Sequence, residues 1–313
     1  MATGYFSHSA CRRHDMGAGH PECPERLSAI DDHLLAQGLD ALLLHSEPPE
    51  ATVDQLDRAH DRNYVLGLID KLAHLHRSGE HCYMDPDTLA MPGTLQAALR
   101  AAGAAVAATD AVIEGRLDNA FCAVRPPGHH ATRHETMGFC FFNNVAVGVR
   151  HALDVHRLER VAVVDFDVHH GNGTEDILCD DDRVLMVSFF QHPLFPYTGT
   201  HPLGRNMVNV PLMPRSDGAL ARAAVTDKWL PALEAFKPQM IFISAGFDAH
   251  RDDELGGLRL LEADYDWITR QVVGVADKWA QGRIVSCLEG GYNLQALARS
   301  VAAHLRVLSG AAG

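Results

Sequence analysis

Short apolar runs alternate along the chain with longer stretches whose apolar residues recur three and four positions apart. The runs "NAFCAV" (119–124), "RVAVVDFD" (160–167), "RVLMVSFF" (183–190), "QMIFISAG" (239–246) and "RIVSCLEG" (283–290) predict strands. The stretches 94–115, 143–156, 217–236, 262–280 and 293–308 predict helices, with two more near 25–37 and 63–77. The Ala-rich 94–115 stretch has high helix propensity and small side chains suited to close packing. Strands apolar on both faces and alternating with helices imply a parallel sheet covered on both sides. No repeat and no Pro/Gly/Ser-rich linker divides the chain, so the expectation is one α/β domain over residues 1–313. Its core is an open, mostly parallel sheet with helices on both faces.

The predicted strands end in polar clusters. "RPPGHHATRHETMGF" follows the first, "DFDVHHGNG" closes the second, "FDAHRDDE" follows the fourth and "GYN" the fifth. In an open parallel sheet, ligands bind beyond the carboxyl ends of the strands. His129, His130, Asp165, Asp167, His169, Asp248 and Tyr292 are therefore expected to converge on one edge.

Asp167 and His169 stand two apart, a spacing that turns both side chains to one side of an extended segment. Asp248 follows the next strand–Gly–acid sequence and is a natural third ligand. D-x-H alone is a weak pattern, met equally by a capped strand end. Two carboxylates and an imidazole suit zinc, iron(II) or manganese, and leave coordination positions open for chemistry. The two prolines and the glycine before His129 and His130 predict a rigid loop, which proton-transfer groups need. Asp165 and Asn172 are candidate partners for the two ring N–H groups. Tyr292 follows Gly290 and Gly291, read as a hinge-like pair that brings a phenol over the site. Such an O–H stabilises a developing oxyanion. Together these groups describe metal-assisted hydrolysis of an acyl bond. No G-x-S-x-G nucleophile motif is present.

Composition narrows the partners. The net charge is −13, which disfavours nucleic acid, since phosphate binding needs clustered Lys and Arg. No run of apolar residues is long enough to span a membrane, and the first residues lack a signal-peptide pattern. The seven cysteines are scattered with no C-x-x-C pair, which fits a reducing, cytoplasmic setting better than a disulfide framework or a zinc ribbon.

The motifs "RPPGHHA", "GFCFFNNVAVG", "VDFDVHHGNGTED", "YTGT", "NVPL", "SAGFDA" and "LEGGYN", in this order, closely resemble the histone deacetylase and acetylpolyamine amidohydrolase family. "HPECPERL" (20–27) resembles its class II branch, and the similarity runs from about residue 20 to 305. The resemblance implies that Asp167, His169 and Asp248 hold zinc, with iron(II) an alternative. It implies that His130 is the general base and acid, with His129 as its electrostatic partner and Asp165 behind His129. Asn172 stands behind His130 where class I members carry Asp, which is similar to the class II pattern and should leave His130 less basic. Tyr292 matches the tyrosine that polarises the scissile carbonyl. Members with His there are poor deacetylases.

The family also binds potassium. Asp165, Asp167, His169, Ser188 and Phe189 match an inner site, mostly through backbone carbonyls. Leu178, Asp181, Val184 and Asn206 match an outer one. Gly138 and Phe139, with Phe195 opposite, match a narrow apolar tunnel, and Leu255 falls at its rim. Polyamine-selective members carry an acid near Leu255, although Asp252, Asp253 and Glu254 supply negative charge nearby. The leucine and the short chain favour an acyl-lysine peptide or protein over an acetylated polyamine as substrate. A weakly active acyl-lysine-binding protein is the alternative outside enzymology. A binuclear manganese ureohydrolase on a related fold needs more ligands than these three. A homo-oligomer is left open.

Overall fold

The structure, a computed structural model, describes residues 1–311. Ten strands form: β1 Thr3–Phe6, β2 Leu43–Ser46, β3 Cys82–Tyr83, β4 Leu89–Ala90, β5 Asn119–Cys122, β6 Val161–Asp165, β7 Val184–Gln191, β8 Met207–Leu212, β9 Met240–Ala245 and β10 Ile284–Leu288. β3 and β4 make a small antiparallel pair, and the other eight form one sheet in the order β2-β1-β5-β10-β9-β6-β7-β8. Every pairing in that sheet is parallel.

All five expected strands are present; four are shorter than expected by two or three residues, and 183–190 is shifted by one to Val184–Gln191. β5, β6, β7, β9 and β10 are buried along their whole length, as their unbroken apolar runs require. Each fully buried Val, Ile or Phe there contributes about 1.5–3 kcal/mol. The other three strands of the sheet carry weaker patterns. β1 has only four residues. β2 and β8 are the sheet's edges and only partly buried. β8 even contains Pro211, which an edge strand tolerates because one side needs no ladder donor.

Helices cover both faces. Thr94–Ile113 packs on Asn144–Asp154, and Glu25–Ala36 and Glu262–Trp279 each pack on Leu294–Leu308. Thr94–Ile113 and Leu294–Leu308 both reach β5 without meeting each other in force, so they lie on opposite sides of the sheet. One expected helix, 217–236, is interrupted. It runs as Gly218–Ala224, a wide π turn over Val225–Trp229, then Leu230–Phe236. Pro231 has no N–H to donate to the preceding turn. The wide turn also delivers Trp229 onto Phe189 of β7, with ring centres 5.1 Å apart and planes 10° from parallel. All seven cysteines are free thiols. No helix among the described residues is long and apolar enough to cross a membrane.

Candidate active site

β5, β10, β9 and β6 are consecutive in the sheet and parallel, so their carboxyl ends open onto one edge. The loops that follow them bring the expected residues together. Asp167 and Asp248 are fully buried and flank His169. His169 Nδ1 lies 3.0 Å from Asp167 Oδ1 and 3.1 Å from Asp248 Oδ2. One ligand atom from each of the three falls within 4.8 Å of the others. Their second oxygens are held by the backbone: Asp248 Oδ1 accepts from Val168 N–H at 2.9 Å, and Asp167 Oδ2 from Gly290 N–H at 2.9 Å.

This cradle fits a divalent cation. Burial and the neighbouring Asp167 push Asp248 up to about 7, the response of an acid pair that lacks enough positive charge. Burial would lower His169, but its bonds to Asp167 and Asp248 outweigh that and push it up to about 10. Two carboxylates and a neutral imidazole bind zinc or iron(II) without that strain.

A second His/Asp cluster on the helical layer differs. His151 and His156 both approach Asp110 Oδ1 through Nε2, at 2.7 and 2.6 Å, which are hydrogen-bond distances. Arg58 also reaches His151 Nδ1 at 3.2 Å. A guanidinium only donates, so the His151 proton sits on Nε2, facing Asp110. The cluster ties helix Thr94–Ile113 to helix Asn144–Asp154.

Beside the cradle, His129 Nδ1 lies 3.1 Å from Asp165 Oδ2, and His130 Nδ1 lies 2.7 Å from Asn172 Oδ1. The two rings are 4.0 Å apart. Burial opposes a charge on His129, but Asp167 and Asp165 overcome it and raise the group to about 10. His130 goes the other way, pushed well below the ordinary range by burial and by His129.

A cavity of about 420 Å³ opens above these groups. Its lining includes His130, His169 and Tyr292 with Gly138, Phe139, Phe195 and Leu255, so the expected tunnel residues surround the expected reactive ones. Asp87, Leu194 and Tyr197 line it too and were not anticipated. Phe139 meets Tyr292 edge-on at 5.9 Å, and Phe195 meets His130 edge-on at 5.1 Å. Gly138 is required, because a Cβ on it would fall 2.6 Å from the His130 ring.

The structure revises two expectations. Gly290 is no hinge: a Cβ there would sit 2.0 Å from Asp248 Oδ2, so the glycine lets the Tyr292 loop press against the acids. Asp253 does not charge the mouth. It is 6% exposed, and both its oxygens accept backbone N–H groups.

Four buried ionisable residues were also missed. Glu289 Oε2 accepts from Gly128 N–H at 2.6 Å and His129 N–H at 3.1 Å, fastening the histidine loop to the Tyr292 loop. Arg26 donates to the carbonyls of Gly291 at 2.6 Å and Glu289 at 2.5 Å, with its guanidinium 5.0 Å from the Tyr292 ring centre. Glu22 bridges Arg26 and Arg125. A charged residue closing an apolar strand, as in "CLEGG", signals such a partner.

The family described as "Histone deacetylase domain" matches residues 20–308. The chain belongs to the histone deacetylase family. The histone deacetylase-like amidohydrolase of Pseudomonas aeruginosa is 39% identical over 88% of this chain and 73% of its own length. The type-2 histone deacetylase 2 of Dictyostelium discoideum is 36% identical over 96% of this chain, which spans 20% of that protein. The crystal structure of the HDA15 HD domain superposes with a TM-score of 0.92 at 33% identity, covering 99% of this chain and 88% of that one. The histone deacetylase fold therefore accounts for the sheet, and the family is one of hydrolases of acyl amides.

Proposed function

We propose that residues 1–313 act as a single zinc-dependent deacetylase domain that removes acetyl or other acyl groups from N-acyl-lysine side chains. The observation that carries this reading is the cavity itself. Its aromatic walls, Phe139 and Phe195, suit an alkyl stem, and His130, His169 and Tyr292 share its lining.

Asp167, His169 and Asp248 hold the metal in this reading, with iron(II) an alternative to zinc. When bound, such a cation polarises the substrate carbonyl and makes water more acidic. His130 keeps a proton on Nδ1 through its bond to Asn172 Oδ1, which leaves Nε2 unprotonated and able to accept one. Nε2 takes a proton from the attacking water as oxygen bonds to the carbonyl carbon. It returns that proton to the departing amine as the C–N bond breaks, releasing the carboxylic acid and the free lysine amine, and the acid then gives its proton to that amine to leave a carboxylate and an ammonium. His129, held by Asp165, keeps positive charge beside the developing negative charge. The Tyr292 hydroxyl donates to the carbonyl oxygen as it gains charge. Burial and Asp248 push this phenol well above the ordinary tyrosine range, so it works as a protonated donor.

Potassium at Asp165, Asp167, His169, Ser188 and Phe189 is part of the same reading, because a monovalent cation offsets the remaining acid charge. Register supports the grouping, since Asp165 pairs with Ser188 across β6 and β7. An outer potassium at Leu178, Asp181, Val184 and Asn206 has to displace the Asn206 amide. That group donates to the carbonyls of Leu178 at 3.0 Å and Asp181 at 3.1 Å. The free thiols fit a cytoplasmic setting.

One observation favours acetylpolyamines as the alternative substrate: Asp87 adds a carboxylate to the cavity lining, which suits a cationic chain. Turnover of an acetyl-lysine peptide and of acetylputrescine, measured side by side on zinc-loaded protein, separates the two. Chelated protein and Tyr292→Phe are the controls. Faster peptide turnover, lost in both controls, is expected. Faster acetylputrescine turnover transfers the mechanism to polyamines. Zinc binding without turnover of any acyl amide leaves a binding protein.

A further inference from the structure

Tyr292 is aimed by its backbone. Its hydroxyl has no protein partner among the described residues, and its ring touches Phe139 and Arg26 without a hydrogen bond. The direction of the phenol therefore depends on the peptide unit that carries it. Both polar atoms of the Gly291–Tyr292 peptide are tied. The Gly291 carbonyl accepts from Arg26 Nε at 2.6 Å, and the Tyr292 N–H donates to Asp253 Oδ2 at 2.6 Å. Two buried charged side chains, from residues 26 and 253, thus grip one peptide plane from opposite ends. Gly291 itself has φ +121°, a conformation available to glycine and rarely to other residues, so the plane has no local preference for its position.

Asp253 does more than this. Its Oδ2 also accepts from Asn293 N–H at 3.0 Å. Asn293 caps helix Leu294–Leu308, and a carboxylate is favoured at that helix start. Its Oδ1 accepts from the N–H of Leu255, a residue lining the cavity, at 3.1 Å. One side chain on the loop after β9 therefore fixes the Tyr292 peptide and a cavity wall together. It also sets both relative to Asp248, five residues earlier on the same loop.

We infer that Asp253 is a positioning residue for the hydrolytic reaction: it holds the Tyr292 phenol over the acyl carbonyl by anchoring the Tyr292 backbone, and it sets Leu255 by the same contact group. The inference rests on the role given to Tyr292 above. A carboxylate in this acidic stretch has another evident use, attracting cationic substrates, but burial and three backbone donors argue against it.

The test is a double-mutant cycle of Asp253→Asn and Tyr292→Phe on an acetyl-lysine peptide, with metal content measured for each protein. Asn offers one carbonyl oxygen where Asp253 offers two: with its NH2 in place of Oδ2 the Tyr292 and Asn293 N–H groups lose their acceptor, and with it in place of Oδ1 the Leu255 N–H does. Asp253→Asn is expected to lower kcat by about 10- to 100-fold, the scale on which a misplacement of about 1 Å acts. In the Tyr292→Phe background the same change is expected to cost less than about 3-fold, because groups that act as a unit are not additive. Hydrogen exchange should show the Tyr292 and Asn293 amides losing protection in Asp253→Asn; where the Leu255 amide loses it instead, Asp253→Ala, which removes both oxygens, carries the cycle. If that variant melts too low to assay, Asp253→Glu, which keeps the charge and displaces the oxygens, carries the same cycle.

Equal losses in both backgrounds overturn the inference, as does an unchanged kcat. An effect confined to KM for cationic substrates and erased by salt also overturns it, in favour of charge at the mouth. Full activity in Tyr292→Phe alone is a different failure. It removes the role given to Tyr292, and the positioning role falls with it.

Discussion

His130 and Asn172 face each other across 2.7 Å, Nδ1 to Oδ1, while the Asn172 amide nitrogen points to the Met137 sulfur at 3.3 Å. A neutral acceptor thus fixes the imidazole tautomer without adding charge. Asn172→Asp places a negative charge on the same atom and favours the protonated ring. The acid limb of the pH profile for kcat/KM should move to higher pH by about 1 unit or more. A profile measured from pH 5 to 9 on an acetyl-lysine peptide checks this.

Gly290→Ala sets a Cβ 2.0 Å from Asp248 Oδ2 and 2.7 Å from Asp167 Oδ2. Both contacts are with proposed metal ligands, so the change should act on the metal before it acts on the fold. Zinc affinity is expected to fall by about 10- to 100-fold, the range seen when ligand-supporting contacts are lost. Competition with a zinc chelator, followed by elemental analysis, measures it.

Glu22→Gln leaves the buried guanidiniums of Arg26 and Arg125 facing a neutral amide. Breaking such a pair by removing one partner costs about 3–5 kcal/mol. Burial would raise Glu22, but Arg125 and Arg26 outweigh it and hold the carboxyl at about 2. The folded value lies below the ordinary one of about 4.5. The stabilisation is therefore complete above that pH and is lost as the pH falls through about 2. Urea unfolding of both proteins should show a gap at pH 7 that narrows in strong acid.

His60 and His304, together with the buried His14 and His130, set the acid response at milder pH. Burial lowers His60 to about 4 and His304 to about 3, and among the described residues His304 has only the Thr269 and Ser286 hydroxyls as polar partners. The unfolded chain takes up these protons near pH 6.5 and the folded chain does not. Their stabilisation is complete above about pH 6.5 and drains away as the pH drops toward the folded values. Each contributes a slope of up to about 1.4 kcal/mol per pH unit in that window. His304→Gln should flatten the slope of unfolding free energy against pH between 6 and 4.

Some of this architecture is legible in the sequence and some is not, for physical reasons. Val161–Asp165 was visible because a strand buried on both faces must be apolar throughout, and its polar ending at Asp165 and Asp167 had to face a ligand or one another. β8 was hidden because an edge strand with Pro211 obeys neither pattern. The reactive groups were legible as residue types after strands, and the tunnel through Gly138 and Phe139 only through family resemblance. Asp253 and Glu289 were not legible as anchors. What a carboxylate holds depends on which loops become neighbours, and that follows from the order β5-β10-β9, which no local stretch encodes.

That order also bears on how the molecule is made. β9 and β10, the last two strands among the described residues to leave the ribosome, occupy the middle of the sheet, between β5 and β6. Until residues 240–288 emerge, the strands already synthesised can form only two separate half-sheets, β2-β1-β5 and β6-β7-β8, whose inner edges have no partner. Such open edges invite pairing with other chains, and a nascent protein in that state is a substrate for chaperones. Asp248 and Tyr292 arrive with the segment that closes the gap. Acquisition of the site and completion of the sheet are then a single event, and a chain stalled short of its final strands has neither.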